Sequence, residues 1–212
     1  MKKYDYVLLD WDGNIANTLH IWLEAYRPAF VKRGLNLTDQ EIVTTFADID
    51  ALLAKRGVYD SQTVVDEAVK RSQHLFPQAE LYPDALEVLH TLHERSKRLA
   101  IVTATFQRNV EAVLQRYNLA ELFDTIVGHD DVTHHKPHPE PLLIALSRLK
   151  GEKEKAIMIG DSASDILAAQ RAGIDSILFY PPEHEKFYDI DALSQHKPTY
   201  TVTDFRKILD IV

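Results

Sequence analysis

Two aspartates stand two positions apart near the start of the chain, directly after a short apolar run. Asp10 and Asp12 flank Trp11, and Gly13 follows them. Two carboxylates this close repel each other, which favours protonation unless a cation lies between them. The carboxyl ends of strands in open α/β sheets hold ligands, so the pattern favours a cation or phosphate site there. An acidic turn that caps the next helix is the alternative for this segment taken alone.

Further reactive side chains stand at the predicted ends of other strands. Thr103 ends one apolar run, and Lys136 lies in the loop after another. Asp161 and Asp165 follow a third run. Because the strand ends of a parallel sheet share one edge, we expect these groups to converge on one pocket around Asp10.

The residue types in this predicted pocket suit phosphoryl transfer. Mg²⁺ prefers one or two carboxylates, waters and a substrate phosphate as ligands, and it would offset the repulsion among the aspartates. A carboxylate can act as a nucleophile through an aspartyl-phosphate, and the second aspartate, Asp12, can protonate the leaving alcohol and later activate water. Lys136, the Thr103 hydroxyl and the backbone amides after Asp10 would hold the phosphoryl oxygens.

The spacing of apolar residues divides the chain into an all-helical segment and an alternating one. From about residue 84 onward, short apolar strands alternate with helices, which predicts βαβ units and a three-layer, Rossmann-like parallel sheet of the α/β class. Between the first strand and this region the pattern is helical throughout. We therefore predict a catalytic core over 1–14 and 83–212 and an inserted all-α cap over 15–82, placed to act as a lid over the carboxyl edge of the sheet.

Local signals give the bounds of the helices in the predicted cap. Thr38 and Glu41 form a capping box that predicts a helix start. Pro28 is expected to kink or interrupt the first helix. The first helix is predicted at 18–33, and two further helices are predicted at 48–56 and 60–75.

Composition excludes several classes of function. The net charge of −8 over 212 residues argues against a nucleic-acid or anionic-membrane surface. No apolar run approaches the roughly 20 residues of a membrane span, and the early apolar run stops at Asp10, which is too short for a signal peptide. Zero cysteines exclude disulfides and thiolate metal sites within this sequence. We expect a cytoplasmic protein, a monomer or weak dimer, that binds a small phosphorylated metabolite, no nucleic acid and no membrane.

The ordered set of motifs resembles the haloacid dehalogenase-like hydrolase superfamily. It comprises Asp10-x-Asp12-Gly13, Thr103, Lys136-Pro137 and Gly160-Asp161-Ser162-x-x-Asp165, and it spans nearly the whole chain. The helical segment after the first motif resembles the small C1-type cap of that superfamily. The second aspartate favours phosphate-ester chemistry, because dehalogenating members usually lack it.

The resemblance implies a role for each matching residue. Asp10 would be the nucleophile and a side-chain ligand of Mg²⁺, and Asp12 would be the general acid/base and bind Mg²⁺ through its backbone carbonyl. Asp161 would be the second side-chain ligand of Mg²⁺, and Asp165 would support the water shell of the metal or Lys136. The phosphoryl group of the substrate would be held by Gly13, Thr103, Ala104 and Lys136.

The sequence departs from the common pattern of the superfamily at a few positions. Asn14 stands where Thr or Val is usual, and the residues up to Arg108 after the second motif differ from those of phosphoglycolate-type phosphatases. Trp22 replaces a histidine that is typical of sugar phosphomutases, so a hydrolase is favoured over a mutase. A non-catalytic binding module on the same fold is the alternative from another class. Candidates for substrate specificity are residues that flank the pocket or start the cap, namely His20, Trp22, Glu24, Arg27 and Arg108. A structural role is the favoured alternative for them, and Trp22 in particular lies on the apolar face of the first predicted helix.

A histidine-rich loop surrounds Lys136. His129, His134, His135 and His138 alternate with acidic residues, and such sets can bind zinc or another transition metal. A solvated loop of partly charged histidines is the alternative, and the sequence favours it.

Overall fold

The computed structural model describes residues 4–46 and 49–212, and within them one parallel sheet forms the centre of the protein. Its strand order is β3-β2-β1-β4-β5-β6, so the first strand lies in the middle. This confirms the predicted α/β, Rossmann-like sheet. The strands are β1 (Tyr6–Leu9), β2 (Arg98–Val102), β3 (Thr125–Val127), β4 (Ala156–Gly160), β5 (Asp175–Phe179) and β6 (Tyr200–Val202).

The register of the sheet determines which residues meet at its carboxyl edge. Leu9 is level with Ile101 of β2 and with Ile159 of β4. The residue after Leu9 therefore stands between the carboxyl ends of β2 and β4. Asp10 thus emerges beside the last residue of β4, one position before Asp161.

The helices lie around this sheet, and those of the predicted cap agree closely with the sequence prediction. Residue 48, where the third helix was predicted to begin, lies outside the described residues. The short helix α9 was not predicted, and the chain ends in a 3-10 segment, Phe205–Asp210. The helices are α1 (Leu19–Val31), α2 (Asp39–Thr45), α3 (Ile49–Lys55), α4 (Ser61–Ser72), α5 (Ala85–Glu94), α6 (Gln107–Tyr117), α7 (Glu140–Leu149), α8 (Ala163–Ala172) and α9 (Ile190–Ser194).

Pro28 does not interrupt the first helix, so of the two predicted effects, a kink or an interruption, the interruption is wrong. Helix α1 runs from Leu19 to Val31 with Pro28 inside it. The carbonyl of Pro28 still accepts a hydrogen bond from the N–H of Lys32, so the helix continues past the proline. The buried side chains Ala29 and Phe30, which directly follow Pro28, keep this end of the helix packed.

Alternate residues of the strands point to opposite faces of the sheet, and each face has its own core. Val7 and Leu9 belong to a hydrophobic cluster with residues of α5 and α6. Leu8 belongs to another cluster with residues of α7 and α8. The sheet is thus covered by helices on both faces, as the near-continuous apolar strands require.

Helices α1 to α4, which we call the helical insert, follow β1 in the chain and share a third hydrophobic cluster. Its members Phe30, Leu53 and Val64 are fully buried. The predicted capping box is present at the start of α2, where the Thr38 hydroxyl accepts from the N–H of Glu41. None of the helices within the described residues has both the length and the apolar character needed to cross a bilayer.

Candidate active site

Asp10 occupies the position directly after the central strand and is nearly buried. Its N–H donates to the carbonyl of Ile159 at 2.8 Å, which ties the end of β1 to the end of β4. Its carboxylate oxygen Oδ1 accepts from the N–H of Trp11 at 2.7 Å. The side chain of Asp10 is thereby fixed at the edge of the sheet with 7% of the residue exposed.

Lys136 connects two of the predicted site carboxylates. Its Nζ lies 2.8 Å from Asp10 Oδ1 and 2.6 Å from Asp165 Oδ1. The same ammonium group donates to the carbonyl of Val102 at the end of β2. Because the Lys136 side chain is only 6% exposed, the two ion pairs are shielded from water.

Asp161 completes a buried cluster of three carboxylates. Oxygen atoms of Asp10, Asp161 and Asp165 all lie within 4.8 Å of one another. The hydroxyl of Tyr188 donates to Asp161 Oδ2 at 2.8 Å. The sequence prediction that Asp10 and Asp161 approach closely enough to share one ion is therefore consistent with the geometry.

Gly13 is required by the close packing of this cluster. It has a φ of +73°, and a Cβ built on it would lie 2.1 Å from Asp161 Oδ2. Any other residue here would be strained and would displace the carboxylate. The Asp-x-Asp-Gly spacing thus reflects a backbone that passes directly against a second aspartate.

The electrostatics of the cluster favour a bound cation. Burial, and next the charge of Asp165, raise the pKa of Asp10 to about 7, although Lys136 acts in the opposite direction. Burial and the charge of Asp10 also raise the pKa of Asp161 well above its usual value. One ammonium group among three buried carboxylates leaves an excess of negative charge, which a divalent ion with oxygen ligands would neutralise. The donor set therefore fits Mg²⁺.

Asp12 is held by hydrogen bonds to both of its carboxylate oxygens. Oδ1 accepts from Thr18 Oγ1 at 2.6 Å and from Trp22 Nε1 at 2.8 Å. Oδ2 accepts from Thr105 Oγ1 at 2.7 Å, and Thr103 Oγ1 lies farther away, at 3.5 Å. Residues from the helical insert and from the loop after β2 thus fix the orientation of one carboxylate between them.

Asn14 joins the loop after β1 to the neighbouring strand. Its Nδ2 donates to the carbonyl of Asp10 at 3.0 Å and to the carbonyl of Ile159 at 3.1 Å. Asn14, the residue that departs from the common pattern, thus holds the end of β1 to the end of β4 next to the carboxylate cluster. Asn14 is fully buried.

The other predicted site residues differ in how close they come to the cluster. Ala104 is exposed at the tip of the loop after β2. The guanidinium of Arg27 contacts the Leu37 carbonyl and Asp39, both within the helical insert. The guanidinium carbon Cζ of Arg108 lies 4.8 Å from the centroid of the Phe106 ring. Within the described residues, none of the hydrogen bonds or ion pairs joins His20, Arg27 or Arg108 to Asp12 or to the carboxylate cluster. Their role in specificity therefore stays a prediction.

Thr105, Thr18 and Tyr188 contact the aspartates, although the sequence analysis did not assign them to the site. Thr105 follows the predicted Thr103 by two positions, and Thr18 precedes α1, so their nearness to the motifs was an available signal. Tyr188 comes from the segment between β5 and α9, far from any motif, and carried no signal. Trp22 was predicted to belong to an apolar helical face. It packs there, and it also donates to Asp12.

The histidine-rich loop has contacts of its own. His134 Nδ1 lies 2.8 Å from Glu140 Oε2, and His138 lies near the same carboxylate. The rings of His129 and His135 stack at 4.5 Å. His134 and His138 are largely exposed, and Glu140 already accepts from the backbone N–H groups of Thr133 and His134, as in a solvated, hydrogen-bonded loop.

Comparison with known proteins agrees with this fold. The family profile described as haloacid dehalogenase-like hydrolase matches residues 7–179. A pyrophosphatase PpaX of Oceanobacillus iheyensis is 30% identical over 214 aligned positions, which cover 97% of this chain and 95% of that protein. A phosphoglycolate phosphatase of Pasteurella multocida is 28% identical over the full length of both chains.

Solved structures give the same result. A putative haloacid dehalogenase-like hydrolase from Bacteroides fragilis has a TM-score of 0.86 at 25% identity and covers 97% of this chain and 100% of its own. A putative β-phosphoglucomutase from Thermotoga maritima has a TM-score of 0.72 at 25% identity and covers 98% and 99%, respectively. The chain belongs to the haloacid dehalogenase-like hydrolases. Within that family, the relatives compared above are named as a pyrophosphatase and a phosphoglycolate phosphatase.

Proposed function

We propose that the protein is a Mg²⁺-dependent phosphatase that hydrolyses a small phosphorylated metabolite through an aspartyl-phosphate. One observation carries the proposal: Asp10, Asp161 and Asp165 form a buried carboxylate cluster that Lys136 bridges on one side. Such a cluster places, within a few ångströms of one another, groups that can bind a cation, attack phosphorus and stabilise a phosphoryl group.

Asp10 is the proposed nucleophile. Its carboxylate would attack phosphorus, form an acyl phosphate and expel the leaving group as an alcohol or, for pyrophosphate, as phosphate. Burial raises the pKa of Asp10 to about 7, so a bound cation would shift the group further towards the ionised form at neutral pH. The Lys136 ammonium, 2.8 Å from Asp10 Oδ1, would stabilise both the nucleophile and the transferred group.

Asp12 is the proposed general acid and base. It would protonate the leaving oxygen and then accept a proton from the water that hydrolyses the acyl phosphate. Its four surrounding hydroxyl and indole donors hold the carboxylate in one orientation, which such a double role requires. Thr103, Gly13 and the exposed Ala104 remain the proposed contacts of the phosphoryl oxygens.

The proposed Mg²⁺ would be held by the side chains of Asp10 and Asp161 and by the backbone carbonyl of Asp12. Asp165, which is tied to Lys136, would support this arrangement rather than ligate the ion directly. When bound, the metal would neutralise negative charge on the phosphoryl oxygens. All other steps are assigned to the side chains named above.

The helical insert is proposed to act as a cap, with the division at 15–82. Its two connections to the core run side by side, because Ala16 pairs with Leu81 and the N–H of Tyr82 donates to the carbonyl of Ile15 at 2.9 Å. Paired connections form a suitable hinge for opening and closing over the site. Closure would exclude water while the acyl phosphate forms.

Hydrolysis of p-nitrophenyl phosphate tests the proposal. We expect phosphate release in the presence of Mg²⁺, loss of release in EDTA, and loss in Asp10→Asn. A panel of phosphorylated metabolites, with pyrophosphate and phosphoglycolate included because of the names of the relatives, would then identify the substrate class. Absence of any metal-dependent phosphate release would contradict the proposal.

A sugar phosphomutase is the second candidate function. The likeness to the putative β-phosphoglucomutase from Thermotoga maritima favours it. A mutase would convert a sugar phosphate in the presence of a bisphosphorylated sugar without net phosphate release, whereas a phosphatase would release phosphate. The two products separate the candidates.

A further inference from the structure

We propose that Tyr188 is a positioning residue that orients Asp161 for the metal and couples this ligand to the helical insert. The inference rests on the proposed function, because it assumes that Asp161 binds the metal. The observation behind it is the hydrogen bond from the Tyr188 hydroxyl to Asp161 Oδ2 at 2.8 Å. Asp161 is 1% exposed, so this bond is made away from solvent.

The protein surrounds Oδ2 of Asp161 closely. A Cβ on Gly13 would lie 2.1 Å from Oδ2, so the backbone of the loop after β1 packs against this oxygen on one side. Tyr188 occupies another side. Oδ2 is therefore the oxygen of Asp161 that the protein holds in place. Hydrogen bonds to a ligand from the surrounding protein commonly fix its orientation in this way.

The position of the Tyr188 hydroxyl is itself fixed. The N–H of Tyr188 donates to the carbonyl of His184 at 2.9 Å, and its carbonyl accepts from the hydroxyl of Tyr180 at 3.0 Å. His184 is fully buried, and its Nε2 lies 2.7 Å from the hydroxyl of Tyr82. Burial and the nearby Asp161 carboxylate raise the pKa of Tyr188 well above its usual value, so the hydroxyl keeps its proton and donates it.

The segment that carries Tyr188 also contacts the helical insert. Phe187 belongs to the hydrophobic cluster of the insert, although it follows β5 in the chain. The carbonyl of Glu185 accepts from Gln40 Nε2 of α2 at 3.3 Å. The ring of Tyr188 packs against this cluster and against the small cluster that contains Leu178. A movement of the insert would therefore shift the residue that orients Asp161.

Mg²⁺ binding measured by isothermal titration calorimetry tests the inference without relying on activity. We expect Tyr188→Phe, which removes one hydroxyl and keeps the ring, to weaken Mg²⁺ binding by about 10- to 100-fold. Tyr59→Phe removes a hydroxyl from a tyrosine that is 84% exposed in the insert and should bind like the parent protein. Asp161→Asn should abolish binding. Thermal unfolding in EDTA shows whether Tyr188→Phe folds normally.

The possible results separate the inference from the proposed function. If the parent protein does not bind Mg²⁺, the proposed function fails. If the parent binds and Tyr188→Phe binds equally well, the role of Tyr188 is overturned. The coupling to the insert is tested by Phe187→Leu, which should weaken Mg²⁺ binding at least about twofold although Phe187 is not one of the proposed metal ligands. Unchanged affinity in Phe187→Leu would overturn the coupling.

Discussion

The indole N–H of Trp22 donates to Asp12 Oδ1 at 2.8 Å, which links the helical insert to the proposed general acid and base. The ring of Trp22 is held by aromatic neighbours, with Phe76 at 5.1 Å and Tyr26 at 5.9 Å between ring centroids. One residue thus serves in the packing of the insert and in the orientation of a carboxylate at the edge of the sheet. The insert contributes directly to the geometry of the site.

Trp22→Phe should lower kcat for p-nitrophenyl phosphate by about tenfold, because Asp12 loses one of its fixed donors and general acid–base catalysis depends on orientation. Mg²⁺ affinity should not change, since Trp22 does not contact the carboxylate cluster through any of the described hydrogen bonds. Tyr26→Phe alters an aromatic neighbour of Trp22 and is the matched control, with kcat expected to stay within twofold. Equal kcat in Trp22→Phe and the parent would contradict this role.

Lys136→Met should destabilise the protein as well as inactivate it. Removal of one partner of a buried ion pair leaves uncompensated charge and costs about 3 kcal/mol or more. The decrease in the free energy of unfolding, measured with urea, should be larger at pH 8 than at pH 5, because the carboxyl group of Asp10, whose pKa burial raises to about 7, is largely protonated at pH 5. Lys155→Met removes an exposed ion pair with Glu152 and should change stability by less than about 0.5 kcal/mol. A pH-independent loss would argue against buried charge as the cause.

The His184–Tyr82 pair predicts part of the acid sensitivity of the fold. Burial lowers the pKa of His184 from 6.5 to about 3. Between these two pH values the unfolded chain binds a proton that the folded protein excludes, so stability falls as the pH decreases below 6.5. At pH 5 the loss from this group is about 2 kcal/mol relative to neutral pH.

The double variant Tyr82→Phe/His184→Phe removes this titration together with the hydrogen bond that the two side chains share. We expect its free energy of unfolding to fall less steeply between pH 7 and pH 5 than that of the parent protein, because one source of proton uptake on unfolding is gone. Urea unfolding at a series of pH values measures both slopes. Equal slopes would show that His184 is protonated in the folded protein or does not contribute.

Asn14→Ala should destabilise the protein by about 2 kcal/mol, because the buried carbonyls of Asp10 and Ile159 would lose a donor. The loop that carries Asp10 should also become less well ordered, so kcat should fall together with stability. Asn36→Ala, at an exposed position of the insert, is the control for the substitution itself. Thermal unfolding and phosphate release, measured on both variants, check the prediction. A normal melting temperature in Asn14→Ala would contradict this role of Asn14.

The sheet and the carboxylate cluster followed from the sequence because local patterns determine them. The alternation of short apolar strands with helices placed Asp10 and Asp161 at one edge, and the register of β1 beside β4 confirms that placement. The interruption predicted at Pro28 was wrong because the packing of Ala29 and Phe30 outweighs the local preference of proline. Tyr188 was missed because its contact with Asp161 depends on how a loop folds back over the sheet, and no periodicity encodes that path.

Acid-quenched trapping of the phosphorylated protein tests the central claim most directly. The protein is mixed with Mg²⁺ and a ³²P-labelled phosphate ester, quenched in acid and digested with trypsin. We predict a hydroxylamine-sensitive label on the peptide that contains Asp10, more of it in Asp12→Asn, where hydrolysis is slowed, and none in Asp10→Asn. Label on another peptide, or full phosphate release by Asp10→Asn, would contradict the account.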